Sequence, residues 1–300
     1  MSNNKPNIGW LYFREYYRDL ENGTSIGSLS LKNKNESLFN QSLPSQLPPQ
    51  PELPNLKTFQ LAVQYPGLLA GTGLIHDLKN EEALKLGFSF DYTTGLPYLP
   101  ASQVKGMLRS WFPGRMNAQL QALNAKEEKL RVKGESLNKS DARKLKMLKK
   151  KVPAFTAYLR EVIGKDLSEQ ELHQLEDQIF EGRKGPATDD GQNHLSLYHR
   201  DLFFDAFPVR HLGGTDASLM GPGVITPHTK GELKNPVPIK FLKVMPQVVF
   251  EFRFVLHDAQ LNNDAHTISA QEKCALFRHY LSEFGIGAKT NVGFGQLEEA

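Results

Sequence analysis

One cysteine, Cys274, stands in the 300 residues. Without a second thiol there is no internal disulfide and no multi-cysteine zinc site, as expected of a chain kept in a reducing compartment. Long apolar runs are missing as well. Nothing approaches the ~20 residues that a membrane-spanning helix needs, and no charged, apolar, small-residue leader opens the chain. A cytoplasmic protein with no membrane partner is the expectation. Excess charge is scarce, since the formal net charge is only +3, which excludes a uniformly polybasic binder. No His-x-x-x-His spacing and no carboxylate cluster presents a metal site, and no cofactor fingerprint is complete.

What is present is concentrated. Gly285 to Gly295 holds four glycines, Lys289 and Thr290. Glycines at this density allow positive φ and close backbone approach, so N–H groups can converge on an anion while Lys289 and Thr290 add a charge and a hydroxyl. A nucleotide P-loop is excluded: Ala288 precedes the lysine, and too little chain follows for the helix and core of an NTPase. A Rossmann turn is excluded because Thr290 stands where the third glycine belongs. Two readings stay open, an anion-binding loop between a helix and a closing strand, or a tight turn with no ligand. The modest net charge also hides a local excess. From Lys126 to Lys151 there are eleven Lys/Arg against four Asp/Glu, net +7, which leaves the rest of the chain at −4.

Residues 8–20 carry five aromatics, the pattern of an edge strand or short helix covering part of the core, with partner docking as the second reading. From Glu21 to Leu56 the composition turns to Asn, Ser, Gln and Pro, with five prolines from Pro44 to Pro54, as in a linker or draped extended arm. Alternation from Thr58 to Tyr65 predicts a strand, and a second is predicted from Leu86 to Tyr92. Ser102 is placed to cap a helix whose buried stripe is Val104, Met107, Leu108 and Trp111, with Lys105 and Arg109 sharing a neighbouring face. Residues 114–181 read as an α-helical insertion, with helices over 116–132, 140–151, 154–163 and 169–180. Its basic cluster is either a solvated face or an RNA contact. β character returns from Leu197 to Pro208. The glycine- and proline-punctuated stretch from Arg210 to Lys240 is long enough to form a protruding hairpin. Val248 to Leu256 is the clearest strand, with Phe250, Phe252 and Phe254 on one face, expected in the core because the glycine-aromatic pattern of an RNA-stacking strand is missing. Ser269 and Glu272 open a last helix, which Gly285 ends. The order of elements gives an α+β fold, a ferredoxin-like antiparallel sheet with helices on one face. Residues 1–56 form the N-terminal segment and arm, and residues 57–300 the main domain.

Three segments together, Gly95 to Arg109, Asp205 to Pro208 followed by Val224 to His228, and the glycine loop, resemble the RAMP superfamily of CRISPR-Cas proteins, nearest to the sixth subunits of type III-B Cmr complexes. The resemblance covers residue 57 to the end. It implies an RRM-like fold in an RNA-guided effector, in a subunit near the 3′ end of the guide crRNA that caps the backbone filament and is not a nuclease. Its partners would be the guide, through it the target RNA, and the other Cmr RAMP subunits. Carried over residue by residue, Lys105 and Arg109 fall on the helix after the Pro97-Pro100 turn, and Gly287, Lys289 and Thr290 on the glycine loop, as candidate RNA contacts. The region 208–245 falls where relatives carry a thumb-like hairpin, which makes Arg210, His228 and Lys230 further candidates. Gly221-Pro222-Gly223 replaces the acidic residue that the family pattern carries there. Some relatives cut RNA without metal through a histidine. The alternative is therefore an endoribonuclease using His76 with Asp77, or His199 with Asp201.

Overall fold

The computed structural model describes residues 6–21, 31–44, 47, 51–71, 73, 76, 78–164, 166–185, 193–226, 238–261 and 266–300. The chain opens with α1 (Ile8–Phe13), α2 (Arg18–Glu21), α3 (Lys32–Phe39) and β1 (Leu56–Val63). Four helices follow: α4 (Ala101–Ser110), α5 (Pro113–Val132), α6 (Lys139–Ile163) and α7 (Glu169–Glu176), the last running into a π-turn over Asp177–Glu181. Then come β2 (Leu202–Phe203), β3 (Phe207–His211), β4 (Met220–Ile225), β5 (Ile239–Val244), β6 (Val248–Val255), β7 (Ala259–Leu261), β8 (His266–Ile268), α8 (Ala270–Phe284) and β9 (Leu297–Glu299).

The fold is mixed α and β with antiparallel pairing throughout. β6 is central: β1 lies on one side of it and carries β9 on its own far edge, while β2 and β3 lie in line on the other side. The alternation of β6 explains the arrangement. Phe250, Phe252 and Phe254 are at most 1% exposed, so they belong to the core, and no ring face is left for a base. Phe59 stacks on Phe252 across the register at 5.4 Å, and Phe277 of α8 meets Phe254 at 5.2 Å. Burying each such ring contributes about 1.5–3 kcal/mol, enough to hold α8 on this face, with α4 beside it. The opposite face is polar. There Gln60 donates to Glu251 at 3.3 Å, Arg253 lies 3.4 Å from Glu251, and Arg253 also donates to the Pro51 carbonyl at 2.6 Å.

Of the two forms open to the N-terminal aromatics, edge strand or short helix, they take the helical one. Tyr12 and Tyr16 are buried, and the Tyr16 hydroxyl bonds Asn35 and the Leu84 amide. The stretch after them is not an extended arm throughout, because α3 interrupts it. Leu31 and Leu38 are buried there, and Lys34 donates to the carbonyls of Glu15 and Tyr16.

Several expected boundaries change for identifiable reasons. Residues 86–92 form no strand, because their backbone bonds go to different segments: Gly87 donates to Gly73, Ser89 to Ala70 and Asp91 to Leu96. The helices expected over 140–151 and 154–163 are one helix, α6, which runs through Pro153. A single buried stripe of Leu145, Leu148, Val152, Phe155, Leu159 and Ile163 spans the proline, and its continuous packing outweighs the hydrogen bond that Pro153 cannot make. Ser102 does not cap α4. The helix begins two residues earlier than that cap would set it, at Ala101 behind Pro100, and its first amide is taken by Asp205. Both capping boxes, Ser168 with Glu171 and Ser269 with Glu272, form as expected. The hairpin region divides: β3 joins the main sheet, while β4 and β5 pair as a separate two-stranded hairpin with Met220, Phe241, Leu242 and Val244 buried at its base.

Candidate nucleic-acid interface

The glycine loop packs backbone against backbone. Ile286 donates to Gly295, Gly295 to Gly67 and Ala288 to Leu69, each at 2.8 Å. The loop therefore closes on itself and on the Pro66–Ala70 segment. A Cβ on Gly287 would stand 2.6 Å from the Leu69 carbonyl oxygen and 2.9 Å from Leu68 Cδ1, and its φ is +98°. Close protein packing thus accounts for Gly287, beyond the single glycine that a helix-to-strand turn would need. At the loop's outer rim Lys289 takes φ +61° and begins a short 3₁₀ turn over Thr290–Val292. This rim, where the Lys289, Thr290 and Asn291 amides have no backbone acceptor among the described residues and one ammonium stands beside them, is chemically suited to an anion.

Sequence reasoning missed Lys243. On β5, it donates to the Pro66 carbonyl at 2.6 Å, and burial pushes its ammonium below the ordinary lysine value. It borders the same segment that the glycine loop grips, beside Tyr65, which is 85% exposed. No local pattern marks Lys243; only the pairing of β5 with Leu68 brings it here.

The other predicted residues lie elsewhere. Lys105 Nζ sits 5.6 Å from the centre of the Phe203 ring. Arg109 turns toward the insertion, 2.5 Å from Glu181 and 3.9 Å from Glu176. No hydrogen bond or ion pair joins either cation to residues 285–295. Arg210 is on β3 in the main sheet, on its polar face, and donates to Gln60 at 3.2 Å. His228, Lys230 and Asp77 lie outside the described residues. His76 accepts from the Leu78 amide at 3.2 Å. The carboxylate of Asp201 bonds Lys273 at 2.6 Å and the His257 amide at 2.9 Å, and exposed His199 is not among its partners. Among the described residues no three His, Cys, Asp or Glu side chains come together as a metal site, and no helix is long and apolar enough to cross a membrane.

Two of the three segments that carry the family resemblance meet directly. Leu99 and Ala206 exchange backbone bonds at 3.0 and 2.9 Å, Asp205 takes the Ala101 amide, and Tyr98 stacks on Phe207. The family model described as "RAMPs: RAMP superfamily" matches residues 60–298. The chain belongs to the RAMP superfamily. This RAMP protein is similar to the CRISPR system Cmr subunit Cmr6 of Pyrococcus furiosus, at 23% identity over 239 residues, or 75% of this chain and 65% of that protein. It therefore spans just under two thirds of that relative's length. Similar solved structures include the crystal structure of P. furiosus Cmr6, at 18% identity and TM-score 0.40, covering 83% of this chain and all of that one. A cryo-EM structure of type III-B Cmr-beta bound to cognate target RNA matches at 19% identity and TM-score 0.42, covering 81% and 57% of the two chains.

Proposed function

We propose that this RAMP protein is a non-catalytic, RNA-binding subunit of a cytoplasmic type III-B Cmr effector complex, holding the 3′ region of the guide crRNA and capping the filament of related subunits. The observation that carries this reading is the RAMP match over residues 60–298 together with the similarity to Cmr6. The strand order supports it. With β2 and β3 counted as one strand, the sheet reads second, third, first, fourth, with α4 and α8 as the two crossover helices, which is the order of a ferredoxin-like split βαβ fold. The rim at Lys289 and Thr290 supplies backbone-directed donors that position a phosphate without reading a base. The non-catalytic part rests on the histidines: His76 is packed against Tyr17, and the carboxylate nearest His199 in sequence is already taken by Lys273.

The test is co-expression with the other Cmr subunits of the same source, followed by affinity purification and crosslinking to a guide carrying a photoreactive nucleotide near its 3′ end. Co-purification with a crosslink to this chain is expected, without cleavage by the chain alone. A crosslink found only at the opposite end of the guide would remove the 3′ assignment, and cleavage by the purified chain would make it an enzyme.

A further inference from the structure

Three cations of the basic insertion are engaged within the protein, while Lys129, Arg131, Lys133 and Lys144 are exposed on other parts of α5, the following turn and α6. Lys126 pairs with Asp141 at 2.7 Å and Lys149 with Glu127 at 3.5 Å, while Lys151 Nζ sits 4.2 Å from the Trp111 ring centre and 4.4 Å from that of Phe284. These charges are spent inside the protein. Lys139, Arg143, Lys146 and Lys150 are all exposed, and none makes an ion pair with a described residue. They follow one another at i, i+4, i+7 and i+11. At about 100° per residue they fall within roughly 60° of arc, opposite the stripe of Leu145, Leu148, Val152 and Phe155 that faces the core. From residue 142 to residue 160 the helix has no Asp or Glu to offset them. Like charges at this spacing destabilise a helix, so the folded chain gains nothing from them by itself.

The position of this face is fixed by ring contacts. Tyr158 stacks on His279, Phe155 meets Phe284 at 4.6 Å, and Lys151 lies over Phe284, so α6 and α8 run antiparallel. The part of α6 before Lys151 therefore overhangs the C-terminus of α8, the end from which the glycine loop starts at Gly285. No large apolar side chain of α6 is exposed, and a protein interface would be expected to supply such an anchor.

We propose that the Lys139, Arg143, Lys146 and Lys150 face of α6 is a second RNA-binding surface, a rail for the phosphodiester backbone separate from the glycine loop. The four cations span about 16 Å at the helical rise. That is roughly the axial length of five phosphates on one strand. Contact through phosphates alone makes the rail indifferent to sequence. This inference rests on the RNA-binding role proposed above.

The experiment measures binding of a labelled single-stranded RNA to the full chain across a salt series. The variant replaces the four rail residues with Gln, and the control is Lys126→Gln with Lys149→Gln, cations already paired. Losing four phosphate contacts should lower the slope of log affinity against log salt by about 3 and reduce low-salt affinity on the order of tenfold. The control should change the slope by less than half as much. A thermal melt of the rail variant should match or exceed the parent. If the parent binds RNA and the rail variant keeps its affinity and slope, or if the control loses as much as the rail variant, the rail is refuted while the RNA-binding role stands. If the parent binds no RNA, both fall.

Discussion

Asp205 accepts the amide proton of Ala101 at 2.6 Å across 104 residues of chain. The bond fastens the start of α4 to the turn before β3. Pro100, at the cap position, has no side-chain acceptor to offer, so a carboxylate from a distant segment takes a first-turn N–H and sits at the positive end of the helix dipole. The neighbouring Leu99 and Ala206 bonds extend this joint between two of the segments that carry the family resemblance.

Asp205→Ala should therefore cost about 1 kcal/mol of stability, with 2 as the upper end for a helix cap. Asp205→Asn keeps an oxygen for the Ala101 amide and should recover most of the loss. Urea unfolding of the two variants beside the parent checks this. Equal loss in both would show that the charge alone matters, and no loss in either would remove the capping role.

Arg109 is the predicted contact whose surroundings change its meaning most. Its guanidinium separates Glu176 from Glu181, and burial already pushes the Glu176 carboxyl above its usual value. Arg109→Ala leaves that carboxylate without its cation and should cost about 1–3 kcal/mol at neutral pH. The sign of the pH effect follows. Glu176 holds its proton more tightly folded than unfolded, so stability falls as pH rises through its folded pKa, and the variant should recover part of its loss on acidification. RNA affinity of the folded variant should stay near parental. A folded Arg109→Ala that loses RNA binding with unchanged stability would restore Arg109 as a direct contact.

The sequence was most legible where a pattern is local. The alternation of Phe250, Phe252 and Phe254, the two capping boxes and the Gly285 stop each depend on neighbours within a few residues, and each forms as read. It was least legible where the decisive partner is far away. The strand expected at 86–92 does not form because its amides bond Gly73, Ala70 and Leu96 in turn, and the first amide of α4 is taken by Asp205, not by Ser102. The same holds at the candidate interface. Periodicity placed Lys105 and Arg109 on one helix face, but nothing in it revealed that Glu181 would meet one and the Phe203 ring the other. Lys243 carried no local signal at all.

Glu171 has two bonding partners, and acid should expose that. It accepts from the Ser168 amide at 2.8 Å and meets His266 Nδ1 at 2.5 Å. The Ser168 backbone bond is the main cause that holds its carboxyl below the usual 4.5. A depressed folded pKa gives stability that is present above the unfolded value and is lost as pH falls through the folded one. The parent's melting temperature should therefore drop as pH goes from about 5 downward. In Glu171→Gln the part of that drop owed to this carboxyl should vanish, which a melt series from neutral to acidic pH reads directly. An identical acid slope in both proteins would mean that Glu171 is not a source of it.

The rim of the glycine loop separates charge from backbone geometry in a single residue. Lys289 holds φ +61°, a left-handed conformation that glycine adopts without steric penalty. Lys289→Gly removes the ammonium and at the same time relaxes the backbone, so stability should hold or rise by up to about 1 kcal/mol. If the rim binds phosphate, RNA affinity should nevertheless fall by about 1–2 kcal/mol, the worth of one charge-assisted bond. Gly287→Val is the opposite case. Its Cβ would press on the Leu69 carbonyl at φ +98°, so the melt itself should fall, by about 1–3 kcal/mol or more. The pair is read by thermal melt and RNA titration on the same preparations. If Lys289→Gly is stable and binds RNA like the parent, the rim is a packing loop and the guide contact lies elsewhere on the chain.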